Sequence, residues 1–332
     1  MAILFGAGTP VAKLLLDDVS PWLLAGLLYS GAGLGLATVR LVRRSPPVRV
    51  NREELAPLAG AIVCGGMLGP VLLMVGLAHL PATASSLLLN AESIFTALIA
   101  WVIFKENVDR RIAFGMATIA GGAVLITIAD GMSVGDVWPS LAILGACLCW
   151  SVDNNLTRSV SLNDATWLAA VKGGVAGPVN LALALLVGAS IPSAPHVVAS
   201  IAVGFVAYGL SLVLFIVALR HVGTARTGAY FAVAPFFGAV LAVALGDPIS
   251  GWLIAAGVLM AVGVWLHFTE RHAHQHTHHA QIHSHLHRHD EHHDHPHGEP
   301  VPAGTWHRHE HLHGELVHSH EHFPDSQHRH RH

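Results

Sequence analysis

Residues 82–104 read ATASSLLLNAESIFTALIAWVIF, a run of 23 residues in which Glu92 is the single charged side chain. As a helix it would be about 35 Å long, enough to cross the hydrocarbon core of a bilayer. Backbone polar groups in hydrocarbon must find their partners within the protein, which leaves only helices and closed barrels as spanning structures. Working outward, further apolar segments fall at 2–16, 21–40, 55–78, 112–129, 138–158, 165–187, 197–219, 225–245 and 249–268. Their connections are brief and show no strand-like alternation, which excludes a barrel. The expected fold is an all-α membrane protein of ten transmembrane helices.

Composition agrees with this. Hydrophobic residues are 52% of the chain and charged residues 12%, about half the share usual in globular domains. Net charge is −3 with His neutral, so there is no basic surface for nucleic acid. Cys64, Cys147 and Cys149 all lie in apolar segments, which argues against a disulfide framework. No nucleophile–base pair, phosphate loop or HExxH motif appears, so the chain does not read as an enzyme and no cofactor is required.

The basic residues set an expected orientation. Arg40, Arg43, Arg44, Arg49 and Arg52 lie between the second and third segments, and Lys105, Arg110 and Arg111 between the fourth and fifth. Arg158, Arg220, Arg226 and Arg271 continue the pattern, while the alternate connections lack Lys and Arg. The positive-inside rule puts both termini in the cytoplasm of a multi-pass protein of the cell (inner) membrane.

An offset of 142 residues lays Gly31 and Gly35 on Gly173 and Gly177, Leu77 and His79 on Leu219 and His221, Phe95 on Phe237 and Gly115 on Gly257. With slightly different offsets Lys13 meets Arg158, and Glu106 meets Asp247. Five helices per copy is an odd number, so the second copy would be inverted, as in many secondary transporters. The expected domains are residues 1–130 and 137–268 as two inverted five-helix repeats, with a His-rich tail at 269–332.

Several stretches resemble the EamA-type members of the drug/metabolite transporter superfamily. Phe5-Gly-Ala-Gly-Thr-Pro-Val-Ala-Lys13 is similar to that family's opening helix. Leu89-Asn-Ala-Glu-Ser-Ile-Phe-Thr-Ala-Leu-Ile-Ala-Trp101 with Phe104-Lys-Glu106 resembles its fourth-helix signature. Val233-Ala-Pro-Phe-Phe237 with Leu245-Gly-Asp-Pro248 looks like the second copy, with Asp247 where the family has Glu. The resemblance covers residues 1–268 and implies a carrier of amino acids, other metabolites or drugs, mostly outward. The tail lies outside the general family pattern and looks like a subgroup feature.

Ionisable residues within a span usually face a cavity or a partner. Glu92, beside Asn90, is the leading transport-path candidate, able to take up a proton or pair with a substrate amine. Asp153 and Asn154 make the sixth segment unusually polar, and Lys172 in the seventh lies at a depth where Asp153 can neutralise it. A buried ion pair that fixes packing and a direct substrate role are both open for these two. Lys13, Arg226 and Tyr230 complete the candidates, although Lys13 and Arg226 can equally snorkel to headgroups. Pro10, Pro70, Pro178 and Pro235 interrupt spans and free carbonyls. The GxxxG pairs, Gly65/Gly69 included, read as close helix packing.

The segment 272–332 holds 23 of the 27 histidines. It is too polar to bury a core, so a disordered tail is expected. His272, His274, His276, His278, His279, His283, His285, His287, His289, His292, His293, His295 and His297 form its densest part, with ligand chemistry suited to Zn, Ni, Co or Cu. Two functions stay open. One is a secondary transporter exporting a small organic metabolite, amino-acid-like or drug-like, by alternating access, with the tail binding metal in a regulatory or buffering role. The other is a divalent metal efflux carrier with the tail as cytoplasmic collector. His79, His196, His221 and His267 all lie near span ends, which favours the first. The expected partners are the lipid bilayer, a small-molecule substrate, divalent metal ions and a second copy of the chain as a homodimer.

Overall fold

The computed structural model of the protein describes residues 1–48, 50–104, 110–129, 137–160, 164–222, 227 and 230–268, with four tail segments at 273–278, 281–287, 307–313 and 316–321. The chain divides into two units, Met1–Glu270 and Arg271–Phe323. Among the described residues the first unit is entirely helical. Its elements are α1 (Ala2–Leu15), α2 (Pro21–Val42), α3 (Arg52–Ala61), a π-helical segment (Ile62–Leu68), α4 (Gly69–His79), α5 (Ala82–Leu88), α6 (Ala91–Phe104) and α7 (Arg110–Ala129). They continue with α8 (Trp138–Val160), α9 (Ala165–Leu186), α10 (Ala194–Val203), a second π-helical segment (Gly204–Leu210), α11 (Ser211–Val222), α12 (Ala234–Ala244) and α13 (Gly251–Phe268).

Five of these stretches are long and apolar enough to cross a membrane: Pro21–Val42, Arg52–His79, Ala82–Ile99, Ala165–Leu186 and Ala194–Ala218. Shorter apolar helices lie at Ala2–Leu15, Ala113–Thr127, Ala234–Ala244 and Gly251–Leu266. Many large apolar side chains point outward, among them Leu34, Leu186, Val198, Val240 and Trp265. An outer surface this apolar suits lipid and not water.

Local chemistry explains where helices begin and end. Pro21 occupies the first turn of α2, where its missing N–H costs nothing. Asn51 and Glu54 form a capping box at α3, with Asn51 N donating to Glu54 Oε2 at 2.8 Å. The Asp164 carboxylate caps α9 by accepting from Trp167 N at 2.7 Å, and the same oxygen accepts from Arg40 Nη1 at 2.6 Å. Helices α9 and α12 end in Schellman turns through Gly188 (φ 91°) and Gly246 (φ 109°), conformations open to glycine. There Ala189 N donates to Ala184 O at 3.0 Å and Asp247 N to Ala242 O at 3.1 Å.

Two passes switch to π geometry, at Ile62–Leu68 and Gly204–Leu210, and these segments are separated by the same 142 residues as the sequence pairs above. Two others are broken by turns, at Leu89-Asn90 before α6 and at Ala232-Val233 before α12. Helices α2 and α9 pack with their backbones almost touching. A methyl group on Gly173 would lie 2.5 Å from Gly33 N and 2.7 Å from Tyr29 O, and one on Gly177 would strike Ser30. Gly31 abuts the Ile201 backbone and Gly35 the Phe205 ring, so these glycines serve close packing. Similar contacts join α1 to α12 at Gly6 and Gly238, and α7 to α13 at Gly122 and Gly263. The core between helices is aliphatic, with Leu24, Leu28, Leu73, Met74, Leu88 and Ile143 fully buried.

In the second unit β1 (Ala273–His278) pairs antiparallel with β4 (Leu316–Glu321), and β2 (Gln281–His287) with β3 (His307–His313). Their alternation of His with Thr, Ser, Leu, Ile and Val has the period of two that suits a strand. His272, His279, His289, His292, His293, His295 and His297 lie outside the described residues.

Leucine at Gly173 is expected to lower thermal stability in detergent by about 2 kcal/mol or more, the cost of overpacking a tight contact. Gly174→Ala, where nothing lies within 4 Å of the added carbon, should leave the melting temperature unchanged or raise it slightly.

Candidate transport cavity

A cavity with about 500 Å³ of empty space, counting its open mouth, lies among α1, α2, α6, α8, α9 and the pass formed by α10, its π segment and α11. Its walls are largely aromatic: Phe5, Tyr29, Trp150, Tyr208, Phe215 and Phe231. Phe5 centres this shell, with ring centroids 5.9 Å from Trp150, 5.9 Å from Tyr208 and 4.9 Å from Phe231. Phe215 meets Phe231 edge-on at 5.0 Å. Such pairings hold rings in fixed orientations and present both apolar faces and polar edges to an occupant.

Glu92, Asp153, Asn154, Lys172 and Ser211 supply the polar lining. Glu92 follows the break at Leu89-Asn90 and sits in the first turn of α6, where the exposed amides of a helix start favour a carboxylate. Its Oε1 accepts from Asn154 Nδ2 at 2.6 Å, and its carbonyl accepts from Ser151 Oγ at 2.9 Å. Among the described residues no cation is within salt-bridge distance of Glu92.

Asp153 and Lys172 are arranged differently. Lys172 Nζ donates to both Asp153 oxygens at 2.6 Å, with the two side chains only 3% and 8% exposed in the order Lys, Asp. Thr157 Oγ1 donates to Asp153 Oδ1 at 2.8 Å, closing the cluster. The charges therefore neutralise each other, and Gly65 leaves room for the carboxylate, since a side chain there would collide with it.

The other sequence candidates lie elsewhere. Asn90 is buried, with Nδ2 donating to Leu87 O at 2.9 Å, in the break that exposes Glu92. Lys13 does not reach for headgroups: its Nζ donates to Leu77 O at 2.7 Å and Ala78 O at 3.2 Å, at the C-terminal end of α4. Asp247 Oδ2 accepts from both Thr83 N and Thr83 Oγ1 at 2.8 Å at the start of α5, the helix that follows α4. Tyr230 is half exposed and not part of the wall, and Arg226 lies outside the described residues. Of the three tyrosines in the chain, the two that line the cavity are Tyr29 and Tyr208. Their signal in the sequence is position: aromatic residues with a polar tip in mid-span are not explained by anchoring at the membrane surface. Among the described residues no group of three or more His, Cys, Asp and Glu is placed to hold a metal ion.

A bundle of apolar helices around a half-open cavity with a few polar groups fits a membrane transporter. The model of the EamA-like transporter family matches this chain twice, over residues 1–128 and 137–269. The chain belongs to that family and is an integral membrane protein. A protein of Methanothermobacter thermautotrophicus named "Uncharacterized transporter" is 26% identical over 286 residues, which cover 80% of this chain and 82% of that protein. A "Probable terminal-alkyne amino-acid exporter" of Streptantibioticus cattleyicolor is 27% identical over 263 residues, covering 72% of this chain and 84% of that one. A crystal structure of a protein 19% identical matches with a TM-score of 0.61, covering 81% of this chain and 94% of that chain, and so shares the fold. These named relatives are transporters and not enzymes.

Removing one partner of the Asp153–Lys172 pair leaves a buried charge unneutralised, a loss of about 3–5 kcal/mol. Asp153→Asn and Lys172→Met should each lower the melting temperature sharply, and the double variant should regain much of the loss.

Proposed function

We propose that the protein is a secondary transporter exporting a small organic metabolite with an amine and an apolar portion, amino-acid-like or drug-like, by alternating access. The observation that carries this reading is Glu92, a half-buried carboxyl facing an aromatic cavity with Asn154 as its hydrogen-bond partner and no described cation beside it. A substrate ammonium or a proton satisfies such a group, and the rings accommodate both an apolar body and a cation over a π face. The relative named as an amino-acid exporter supports the same substrate class. In this reading Glu92 and Asn154 bind the amine, Asp153 and Lys172 hold the wall, and Lys13 with Asp247 closes one end of the path. The carrier requires no cofactor.

The architecture inferred is two inverted repeats of five helices, within residues 1–130 and 137–268. Three findings support it: the double family match, the 142-residue spacing of the π segments, and the pairing of α2 with α9 and α7 with α13. Both termini are inferred to be cytoplasmic from the arginine distribution, which reporter fusions at residue 300 would test.

For the tail we infer transition-metal binding with a regulatory or buffering role. Strand register supports it, aligning His283 with His311, His285 with His309 and His287 with His307, and His274 with His320 and His276 with His318. Opposed residues in an antiparallel pair are close enough for side chains to share a ligand. Metal efflux is the weaker reading because the cavity lining contains neither His nor Cys.

Purified protein in proteoliposomes is expected to move amino acids or apolar amines under a proton gradient, and not Zn2+ or Ni2+. Metal flux without amine flux would reverse the order of the two readings. Glu92→Gln should reduce amine flux by about tenfold or more, the loss of a charge-assisted bond, and flatten its pH dependence. Deleting residues 272–332 should abolish most Zn2+ or Ni2+ binding in equilibrium dialysis while leaving amine flux intact.

A further inference from the structure

Pro70 lacks an N–H. In a π register the carbonyl five residues earlier, that of Gly65, is the one left without an intrahelical donor. Two side chains from other helices fill the gap: Tyr29 Oη donates to Gly65 O at 2.7 Å and Trp150 Nε1 at 3.1 Å. Asn180 Nδ2 braces the same segment by donating to Gly66 O and Met67 O, both at 3.3 Å. The second π segment shows the counterpart. Ala207, which follows Gly65 by 142 residues, offers its carbonyl to the hydroxyl of Ser211, another cavity residue.

Tyr29 belongs to neither segment, yet it touches both. Its hydroxyl ends on Gly65 in the first, and its ring lies 5.8 Å from that of Tyr208 in the second, inclined at 47°. The α2 backbone beside it is wedged in the same way, since a side chain on Gly204 would strike Leu28 O. A π turn holds one residue more than an α turn. Passing that residue along the helix rotates the portion beyond it by about 100°. The two segments are thus where these passes can change shape without losing their hydrogen bonding altogether.

We propose that Tyr29 is a positioning residue of the transport cycle, coupling the π-helical turns at 62–68 and 204–210 across the cavity so that the two rearrange together. Withdrawal of the Gly65 carbonyl in one turn releases the Tyr29 hydroxyl and frees its ring from Tyr208 in the other. The coupling requires only that the protein is a transporter and holds whatever its substrate.

Hydrogen–deuterium exchange of the full chain in lipid nanodiscs tests this without a substrate. Tyr29→Phe keeps the ring and removes the bond to Gly65. It should accelerate exchange by about fivefold, the factor for one lost hydrogen bond, in peptides covering both 62–68 and 204–210. Trp150→Phe removes the other bond to Gly65 and should accelerate 62–68 alone. On a Tyr208→Leu background, Tyr29→Phe should no longer affect 204–210, a non-additivity that a general loosening does not produce. Acceleration by Tyr29→Phe confined to 62–68, or absent from both segments, with wild-type melting behaviour, would overturn the proposal.

Discussion

The close approach of α2 and α9 at Gly33, Gly173 and Gly177 governs the rest of the bundle. In a bilayer, lipid tails are as apolar as leucine, so helices associate through tight packing and hydrogen bonds and not by escape from water. Here the absence of side chains lets one backbone lie against the other, with Ser30 filling the space at Gly177. The consequence falls on neighbouring residues. Tyr29 precedes Ser30 and Lys172 precedes Gly173, so the same contact that joins the helices aims a phenol and an ammonium into one cavity. Lys172 is then held by Asp153, whose carboxylate fits against Gly65.

The second organising constraint is the need to satisfy backbone groups wherever a helix is irregular inside an apolar bundle. The break at Leu89-Asn90 is closed chiefly by local side chains, Asn90 Nδ2 on Leu87 O and Ser93 Oγ on Asn90 O at 2.7 Å, with Cys147 Sγ of α8 against Leu88 O at 3.7 Å. That repair allows α6 to restart immediately before Glu92, so a carboxyl meets the amide-rich end of a helix deep in the protein. At the first π segment the donors come from α2, α8 and α9 instead. Irregular backbone and cavity are thus coupled, because the side chains that satisfy the one also wall the other.

Much of this was legible in advance. The predominance of helix, the five long apolar spans and the family resemblance follow from hydropathy, periodicity and local motifs, all carried by short stretches of chain. Glu92, Asp153, Asn154 and Lys172 stood out because an ionisable or strongly polar group in an apolar run is costly and needs a reason. Pro235 signalled the break before α12, and Pro70 the disturbed pass containing Ile62–Leu68. The equivalent break before Glu92 has no proline, and the second π segment has none either, so neither carried a local signal.

What tertiary structure alone decided is which faces meet. Sequence reasoning selected Tyr230 from three tyrosines, but the cavity took Tyr29 and Tyr208. It left Lys13 open between the transport path and the headgroups, and the end of α4 beside it offers the Leu77 and Ala78 carbonyls. Phe5, Trp150, Phe215 and Phe231 are indistinguishable in sequence from ordinary core aromatics. Length and apolarity depend on residues next to one another in the chain, so the sequence by itself determined the spanning helices and the polar groups buried in them. The cavity brings together residues from Phe5 to Phe231, and that juxtaposition is set by contacts between glycine backbones on separate helices.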